Sequence, residues 1–227
     1  MINLELANNA GLLFRRPIEE AGFTLVTSSN FEKLADLADE MGHDITPHFH
    51  PRQNTFFWNE AFWIGVFKDG RCAAYCAAKQ QTVGQEGLIE YLKRYWKRVY
   101  REGSKTKIEF ARNQMKRLNI CGSLVYSGAW FVHPDYLKSG IGKNLGKYII
   151  CTSYLEWRET DYFYIFMNDR DVRSGLGAAL ELSDQISNAL QWDSLPSQAK
   201  DDYWMLGMSR DDFEDWAKIQ LRVADQN

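Results

Sequence analysis

One segment organises the rest of the chain: Ala129-Trp130-Phe131-Val132-His133-Pro134-Asp135-Tyr136-Leu137-Lys138-Ser139-Gly140-Ile141-Gly142-Lys143-Asn144-Leu145. An aromatic and β-branched run stops at a proline, a short polar loop follows, and two glycines one residue apart open an amphipathic helix. The segment therefore predicts strand, loop and helix start. The first amides of a helix have no intrahelical acceptor and the helix dipole is positive there, so this junction predicts an anion-binding site.

Size and composition limit what that loop can belong to. The chain has 227 residues, of which 45% are apolar and 14% aromatic, enough to fill a core. We predict one domain over residues 1–227. The formal net charge is −3 and no run of about 18 apolar residues occurs, so no membrane span is predicted. The first residues lack the build of a secretory signal, and we therefore expect a cytoplasmic protein.

Two groups of residues could suggest a metal or redox site. The four cysteines, Cys72, Cys76, Cys121 and Cys151, show no C-x-x-C spacing, which favours free thiols. The loop from His43 to Pro51 also contains Asp44, His48 and His50, and imidazole and carboxylate groups are the usual ligands of zinc. Its two prolines favour an irregular lid instead, whose histidines lie in a substrate loop or at the surface, and no metal is expected.

Periodicity and turn residues predict an α/β protein with a mixed (α+β) sheet. The Asp69-Gly70 pair between two apolar runs predicts a tight antiparallel β-hairpin. The segment quoted above and the strand after it form a strand, helix, strand unit, which implies a parallel pair with ligands at the carboxyl ends of its strands. Strands are predicted at 23–27, 120–132, 162–167 and 203–208. Helices are predicted at 31–41, from Gly87 onward, from the glycine loop through Trp157, at 171–190 and at 211–222.

A basic stretch runs from Lys93 to Arg117. It holds ten basic residues against two acidic ones: Lys93, Arg94, Lys97, Arg98, Arg101, Lys105, Lys107, Arg112, Lys116 and Arg117 against Glu102 and Glu109. Cations with interleaved aromatics could bind nucleic acid or another polyanion. We prefer an amphipathic helix whose cations are solvated, because the aromatic residues lie on its apolar stripe.

Spacing excludes two common meanings of the glycine loop. A phosphate-binding loop of the nucleoside triphosphatase type needs glycine five residues before Gly142 and Ser or Thr after Lys143, where Leu137 and Asn144 stand. A dinucleotide-binding fingerprint needs glycine three residues after Gly142, where Leu145 stands. Neither pattern fits this loop.

The strand, Val132, Pro134, Tyr136, the Gly140-Ile141-Gly142 turn and the following helix resemble the GNAT superfamily of acyl-CoA N-acyltransferases. The family signature [QR]-x-x-G-x-[GA] falls on Leu137 to Gly142, with Leu137 in place of the usual Gln or Arg. Asn168 stands about where the family often has an asparagine after its fifth strand. The resemblance spans roughly 23–208 and implies a helical insertion between the third and fourth strands, at about 84–119.

The resemblance implies acetyl-CoA, or another acyl-CoA, as co-substrate and an unidentified amine as acceptor. In this family the coenzyme pyrophosphate binds mostly to backbone amides of the loop, and the pantetheine arm pairs with the preceding strand. The implied coenzyme-binding residues are Trp130, Phe131, Val132, Leu137, Lys138, Ser139, Gly140, Ile141, Gly142, Lys143 and Asn168. Self-association into a homodimer is kept open.

The acid and base of the reaction are harder to predict. The family often places a glutamate on the strand before the loop, but here that strand offers Tyr126 and Ser127 and no acid. We predict His133 or Glu109 as base and Tyr164 as the acid that protonates the thiolate. Asp135, a water held by Ser127, and Tyr203 are alternatives. Because fold does not imply function, a non-catalytic acyl-CoA-binding or nucleic-acid-contacting module is the competing hypothesis.

Overall fold

The structure is a computed structural model that describes residues 2–100, 107–110, 119–196, 199 and 202–226. Nine strands are described: β1 (Thr24–Ser28), β2 (Ala61–Lys68), β3 (Arg71–Val83), β4 (Ile108–Glu109), β5 (Gly122–Val132), β6 (Tyr162–Asn168), β7 (Asp184–Ile186), β8 (Gln191–Trp192) and β9 (Tyr203–Ser209). The described helices are α1 (Leu4–Glu20), α2 (Phe31–Glu40), α3 (Gly87–Val99), α4 (Ile141–Glu156), α5 (Asp169–Arg173), α6 (Leu176–Leu180) and α7 (Arg210–Ala224), with a 3₁₀ turn at Pro134–Tyr136.

Seven strands form one mixed sheet in the order β1-β2-β3-β5-β6-β9-β7, which confirms the predicted fold class. The β2–β3 hairpin closes through Asp69 and Gly70, both at positive φ (51° and 77°), as its tight turn requires. β5 and β6 are parallel and are joined through α4, while the other described pairs in the sheet are antiparallel. The predicted strand, helix, strand unit is therefore confirmed.

Each face of the sheet has its own apolar core. On one face lie α1, α4 and α7, with residues such as Phe14, Ile149 and Phe213 buried between them and the strands. The other face is covered by α2, α3 and the loop before β2, through residues such as Leu34 and Trp96. Side chains of β5 alternate between the two cores, so this strand is buried on both faces.

From the sequence, one helix was missed and another was predicted wrongly. The 17-residue helix α1, whose cap Asn3 accepts a hydrogen bond from Leu6 N (3.1 Å), was not predicted. The single helix predicted over 171–190 is wrong: the chain forms α5 and α6 there and then the short edge strand β7. Gly175 (φ 93°) and Glu181 (φ 58°) adopt left-handed conformations that end each helical segment.

The predicted insertion at 84–119 is described only in part. Helix α3 buries Leu88, Leu92, Trp96 and Val99, as its periodicity predicted, and β4 pairs with β8 in a separate two-stranded sheet. Residues 101–106 and 111–118 lie outside the described part of the chain. In that part, no helix has both the length and the apolar composition needed to cross a bilayer.

Candidate functional site

The parallel strands β5 and β6 separate halfway along their length. They pair from Leu124–Tyr162 to Ser127–Ile165, and then each continues without the other. The register of β5 against β3 shifts between Gly128 and Phe131, and Ala129 in this bulge has φ 49°. A bulge bends the strand that carries it, and here it turns β5 away from β6 and opens a gap at the carboxyl ends of both strands.

Trp130 forms part of the wall of this gap. Its indole Nε1 donates a hydrogen bond to Ser127 Oγ (3.0 Å), and Ser127 Oγ donates to the carbonyl of Ala77 on β3 (2.9 Å). The ring also fills the space beside Gly146 of α4, where an added Cβ would lie 2.7 Å from it. Ser127 is therefore engaged in fixing the tryptophan, which gives this hydroxyl a structural role.

The glycine loop brings the start of α4 to the edge of the gap. Gly140, the helix cap, is left-handed (φ 78°), and the first main-chain bond of the helix runs from Asn144 N to Gly140 O (3.2 Å). The amides of Gly142 and Lys143 precede it and have no acceptor within the helix. A Cβ on Gly142 would lie 3.1 Å from Val132 Cγ2, so the loop lies directly against β5.

A cleft of about 660 Å³ occupies the gap and runs along the loop. Eight of the predicted coenzyme-binding residues line it: Trp130, Phe131, Val132, Leu137, Gly140, Gly142, Lys143 and Asn168. The three others, Lys138, Ser139 and Ile141, are not among its lining residues. Ile141 is buried under the helix start, and the Ser139 hydroxyl donates to Tyr136 O (2.6 Å).

Asn168 ends β6 and caps α5. Its Oδ1 accepts a hydrogen bond from Asp171 N (2.9 Å), and its Nδ2 donates to Asp171 Oδ2 (2.8 Å). Both of its polar groups thus hold the turn that follows β6. The asparagine contributes to the cleft by fixing that turn opposite the glycine loop.

A second cavity of about 150 Å³ continues from the cleft between the separated strands. It shares Trp130, Asn168, Asp171 and Leu176 with the cleft. The rest of its lining is largely aromatic or apolar: Thr46, His48, Tyr126, Gly128, Ala129, Ile165, Phe166, Met167 and Tyr203.

His48 is the polar residue of note in that lining. Its side chain is buried (1% exposed), and neither ring nitrogen has a hydrogen-bond partner among the described residues. Four aromatic rings surround it, with centroids 4.7 Å (Trp96) to 5.5 Å (Tyr95) away. Burial lowers the pKa of His48 well below its usual value, and the charges of Lys79 and Arg98 lower it further, so the imidazole is neutral.

Lys79 lies beside His48 and is itself fully buried. Its Nζ donates to the His48 carbonyl (2.9 Å) and to Tyr95 Oη, and it lies over the rings of Tyr95, Phe49 and Tyr126 at 4.3, 5.1 and 5.4 Å. Burial, together with the charge of Arg98, lowers the pKa of Lys79 well below its usual value.

The residues predicted to be catalytic do not meet in the cleft. His133 caps the 3₁₀ turn by accepting from Asp135 N (3.3 Å), and Glu109 is on the two-residue strand β4. Tyr164 is fully buried and donates to Gln81 Oε1. None of the three lines the cleft or the second cavity, whereas Tyr203, an alternative acid, lines the second cavity.

Two histidines of the 43–51 loop lie at the site. The sequence predicted a place in a substrate loop or at the surface for them and assigned them no chemical role. His43 lines the cleft, where its Nδ1 is 2.6 Å from Tyr75 Oη and its ring packs on Phe131. His48 lines the cavity behind it. Their spacing suggested metal ligands, but no group of three His, Cys, Asp or Glu side chains able to hold a metal is found among the described residues. Only tertiary contacts bring this loop to β5.

The described cations of the basic stretch are partly paired with acids. Lys93 binds Glu90 and Arg94 binds Glu86, each at 2.7 Å, and the guanidinium of Arg98 lies 5.1 Å from the Tyr95 ring centroid. Arg101, Lys105, Arg112, Lys116 and Arg117 lie outside the described residues. Polyanion binding through this stretch stays an untested prediction.

Comparisons with known proteins agree with this architecture. An apo-form structure of an agmatine N-acetyltransferase variant matches with a TM-score of 0.51 and 12% identity, covering 82% of this chain and 100% of that one. Arabidopsis thaliana NAA60 in complex with acetyl-CoA (0.49, 14%, covering 82% and 98%) and the Drosophila melanogaster polyamine N-acetyltransferase (0.48, 11%, covering 82% and 100%) are also similar. Searches of the sequence against protein families and curated proteins find no match. The chain has the fold of the GNAT superfamily, as the sequence resemblance predicted.

Proposed function

We propose that this protein is an acyl-CoA-dependent N-acyltransferase that transfers an acetyl group, or another short acyl group, to an amine. The observation that carries the proposal is the gap between β5 and β6, with the free amides of α4 at its edge. An anion site and an open strand edge lie side by side there. A coenzyme A thioester needs both, because it contains a pyrophosphate joined to an extended arm with two amides.

The amides of Gly142 and Lys143 and the dipole of α4 bind the pyrophosphate in this proposal. The pantetheine arm then extends along β5. His133 N donates to Ala73 O on β3, and amides of successive residues in a strand point to opposite edges. The backbone groups of Val132 and Trp130 therefore point into the gap, where they pair with the arm as another strand would.

Acyl transfer follows from that placement. The amine nitrogen attacks the thioester carbonyl carbon, the carbon–sulfur bond breaks, and the coenzyme thiolate leaves and takes up a proton. In this proposal a backbone amide of β5 donates to the developing oxyanion. Polyamine and agmatine acetyltransferases are among the proteins of similar structure, which makes a small aliphatic amine a reasonable first acceptor to test.

A thermal-shift experiment with acetyl-CoA, free coenzyme A and ATP tests the coenzyme. Acetyl-CoA and free coenzyme A are expected to raise the melting temperature, since a ligand at 100 times its Kd stabilises the folded state by about 2.7 kcal/mol. ATP lacks the pantetheine arm and is expected to have a much smaller effect. An unchanged melting temperature with millimolar acetyl-CoA would refute the proposal.

Thiol release from acetyl-CoA, measured with a panel of amines, then separates an enzyme from a binding module. The competing hypothesis of a non-catalytic module predicts stabilisation by acetyl-CoA without thiol release above the rate in the absence of protein. It draws on one observation, the lack of an acidic side chain on β5.

A further inference from the structure

We infer that His48 is the base that takes a proton from the acceptor amine, and that the amine enters the cavity between β5 and β6 to reach it. This inference rests on the acyltransferase function proposed above. It assigns a chemical role to a buried histidine that the loop sequence alone would place in a metal site, in a substrate loop or on the surface.

The first argument is the state of the imidazole. A neutral imidazole has one donor and one acceptor nitrogen, and neither has a partner among the described residues although the side chain is 1% exposed. A buried polar group without a partner destabilises the folded protein. An amine in the adjacent cavity would supply the missing hydrogen bond, because its N–H can donate to the unprotonated ring nitrogen.

The second argument is position. His48 lines the 150 Å³ cavity, and that cavity shares Trp130 and Asn168 with the cleft in which the coenzyme is proposed to lie. The two spaces meet at the separated ends of β5 and β6, along the strand on which the pantetheine arm is proposed to lie. A group bound in the cavity would therefore lie next to the end of that arm, which carries the acyl group.

Burial keeps His48 in the basic form. It holds the pKa of His48 below its usual value, and Lys79 and Arg98, which lie nearby, lower that pKa further when they are charged. The unprotonated nitrogen is thus available at neutral pH. The same burial lowers the pKa of an ammonium group that enters the cavity, which makes the proton transfer easier.

The lining also indicates the chemical class of the acceptor. Tyr126, Phe166 and Tyr203 present aromatic surface, and the faces of such rings attract an ammonium group. At about 30 Å³ for each water-sized group, the cavity has room for about five non-hydrogen atoms. We therefore expect the amine end of a small alkylamine to enter, with any remaining part outside the cavity.

The reaction balances as follows. His48 takes one proton from the ammonium, and the neutral nitrogen attacks the thioester carbonyl carbon. As the tetrahedral intermediate collapses, the carbon–sulfur bond breaks, and the second proton lost by nitrogen goes to the departing thiolate. The products are the amide, coenzyme A as its thiol, and a proton that His48 returns to solvent.

His43 is the alternative base, since it lines the cleft and burial lowers its pKa as well. The structure favours His48 for two reasons. His43 Nδ1 is already hydrogen-bonded to Tyr75 Oη, and His43 lines the coenzyme cleft without lining the cavity. The experiment therefore includes both histidines.

We would measure thiol release with a small alkylamine for the wild-type protein and for His48→Gln, His43→Gln and His50→Gln. His48→Gln is expected to lower kcat/KM about 10²- to 10⁴-fold, which is the usual contribution of a general base. His50 lies on the same loop, accepts from Arg52 N and lines neither space, so His50→Gln is the matched control and should keep wild-type activity.

The pH profile separates a base from a structural residue. Burial and the nearby cations lower the pKa of His48, so the wild-type kcat/KM should fall only at pH values well below the usual pKa of histidine. In His48→Gln this fall should be absent from the remaining activity. The ionisable groups around His48 are Lys79, Arg98, Tyr95, Tyr100 and Tyr126, together with Asp171 and Tyr203, which line the same cavity. Burial raises the pKa of Tyr95, Tyr100 and Tyr126, so those tyrosines do not titrate in this range.

Calorimetric binding of acetyl-CoA is measured for every variant and shows that the folded coenzyme site is intact. If His48→Gln does not bind acetyl-CoA, His48→Asn is used in its place. If the wild type is active and the His48 variant has the same rate and pH profile, this inference is wrong while the proposed function stands. The same conclusion follows if the fall in activity at low pH is lost only in His43→Gln. Absence of turnover by the wild type with every amine overturns the proposed function, and this inference with it.

Discussion

Gly140 holds the turn that directs the helix amides into the cleft. Its φ is +78° with nothing within 4 Å of an added Cβ, and Gly70 in the β2–β3 hairpin has the same surroundings at +77°. An alanine at either position should cost about 1–2 kcal/mol of stability, since L residues are strained there. We predict that Gly140→Ala also weakens acetyl-CoA binding at least tenfold.

Gly70→Ala is the matched control for that variant. Urea unfolding should show similar losses of stability for the two proteins, while calorimetry should show weakened coenzyme binding for Gly140→Ala alone. Equal affinities in both variants would mean that the turn at Gly140 does not position the phosphate site.

The four free cysteines should differ widely in reactivity. Cys121 is exposed, whereas Cys76 and Cys151 are buried, and burial raises the pKa of the half-buried Cys72 to about 11. The thiolate is the reactive form, so a thiol reagent should label Cys121 quickly and the other three slowly.

Stopped-flow labelling of the native protein measures this difference. One fast equivalent is expected, and it should vanish in Cys121→Ser. Two or more fast equivalents would contradict the burial of the other thiols. The Cys121→Ser protein also gives a lower background when thiol release is used to follow catalysis.

For single residues, the sequence predicted the backbone conformation that a position requires better than it predicted the burial of a side chain. The left-handed turn at Gly140 depends on local dihedral angles, and glycine tolerates them at little cost, so the loop could be located from two glycines. His48 could not be located in this way, because its burial depends on β5 and α3, which are far away in sequence. Nothing in the local pattern distinguishes His48 from His50.

Among the helices, α4 lies so close to β5 and α6 that one of its glycines has no room for a side chain. A Cβ at Gly146 would lie 2.6 Å from Leu180 and 2.7 Å from Trp130, whereas one at Gly11 in the facing helix α1 would make an ordinary 3.4 Å contact with Cys151. We predict that Gly146→Ala destabilises by about 1–3 kcal/mol.

Gly11→Ala should be neutral or stabilising by up to about 1 kcal/mol, because alanine is the better helix former. Denaturant unfolding of both variants measures the difference. If both were stabilised to the same degree, helix propensity would outweigh packing, and the close contact of α4 with Trp130 would be disproved.

Helices and strands were predictable where one hydrophobic pattern extends over the whole element. Helix α3 follows its apolar stripe, and β6 follows its unbroken apolar run. The 171–190 region failed because its apolar residues fit one helix, while the left-handed Gly175 and Glu181 divide it. A non-glycine residue in that conformation is stabilised by tertiary contacts, which a local pattern does not contain.

Across the whole molecule, buried bases should make stability depend on pH. The unfolded state holds a proton on Lys79 up to a pKa of about 10.4, but the folded state releases it at lower pH because burial lowers the pKa of this group. Between the pKa of Lys79 in the folded state and its pKa in the unfolded state, the unfolded state binds more protons. The free energy of unfolding therefore rises with pH in this interval, by at most about 1.4 kcal/mol per pH unit.

Urea unfolding at pH 7 and pH 9 should show this rise for the wild type and a smaller one for Lys79→Met. Lys218, whose side chain is 53% exposed, provides the control: Lys218→Met should keep the wild-type slope. Equal slopes in all three proteins would show that Lys79 remains protonated in the folded state.

The mixed sheet itself was predictable from one hairpin, one strand, helix, strand unit and a family resemblance. The structure and the role of the insertion were not predictable, because its basic residues form no recognisable motif. The homodimer and the polyanion partner therefore stay predictions.

The gap between β5 and β6 passes through the sheet. The end proposed to hold the coenzyme is lined by Val132 and Leu145, which pack in the core under α4. The end proposed to hold the amine is lined by Tyr126 and Tyr203, which pack in the core of the other face. In this proposal donor and acceptor occupy their sites at the same time. We expect sequential kinetics with no acylated enzyme, and a single molecule that joins coenzyme A to the amine through a short linker should inhibit against both substrates.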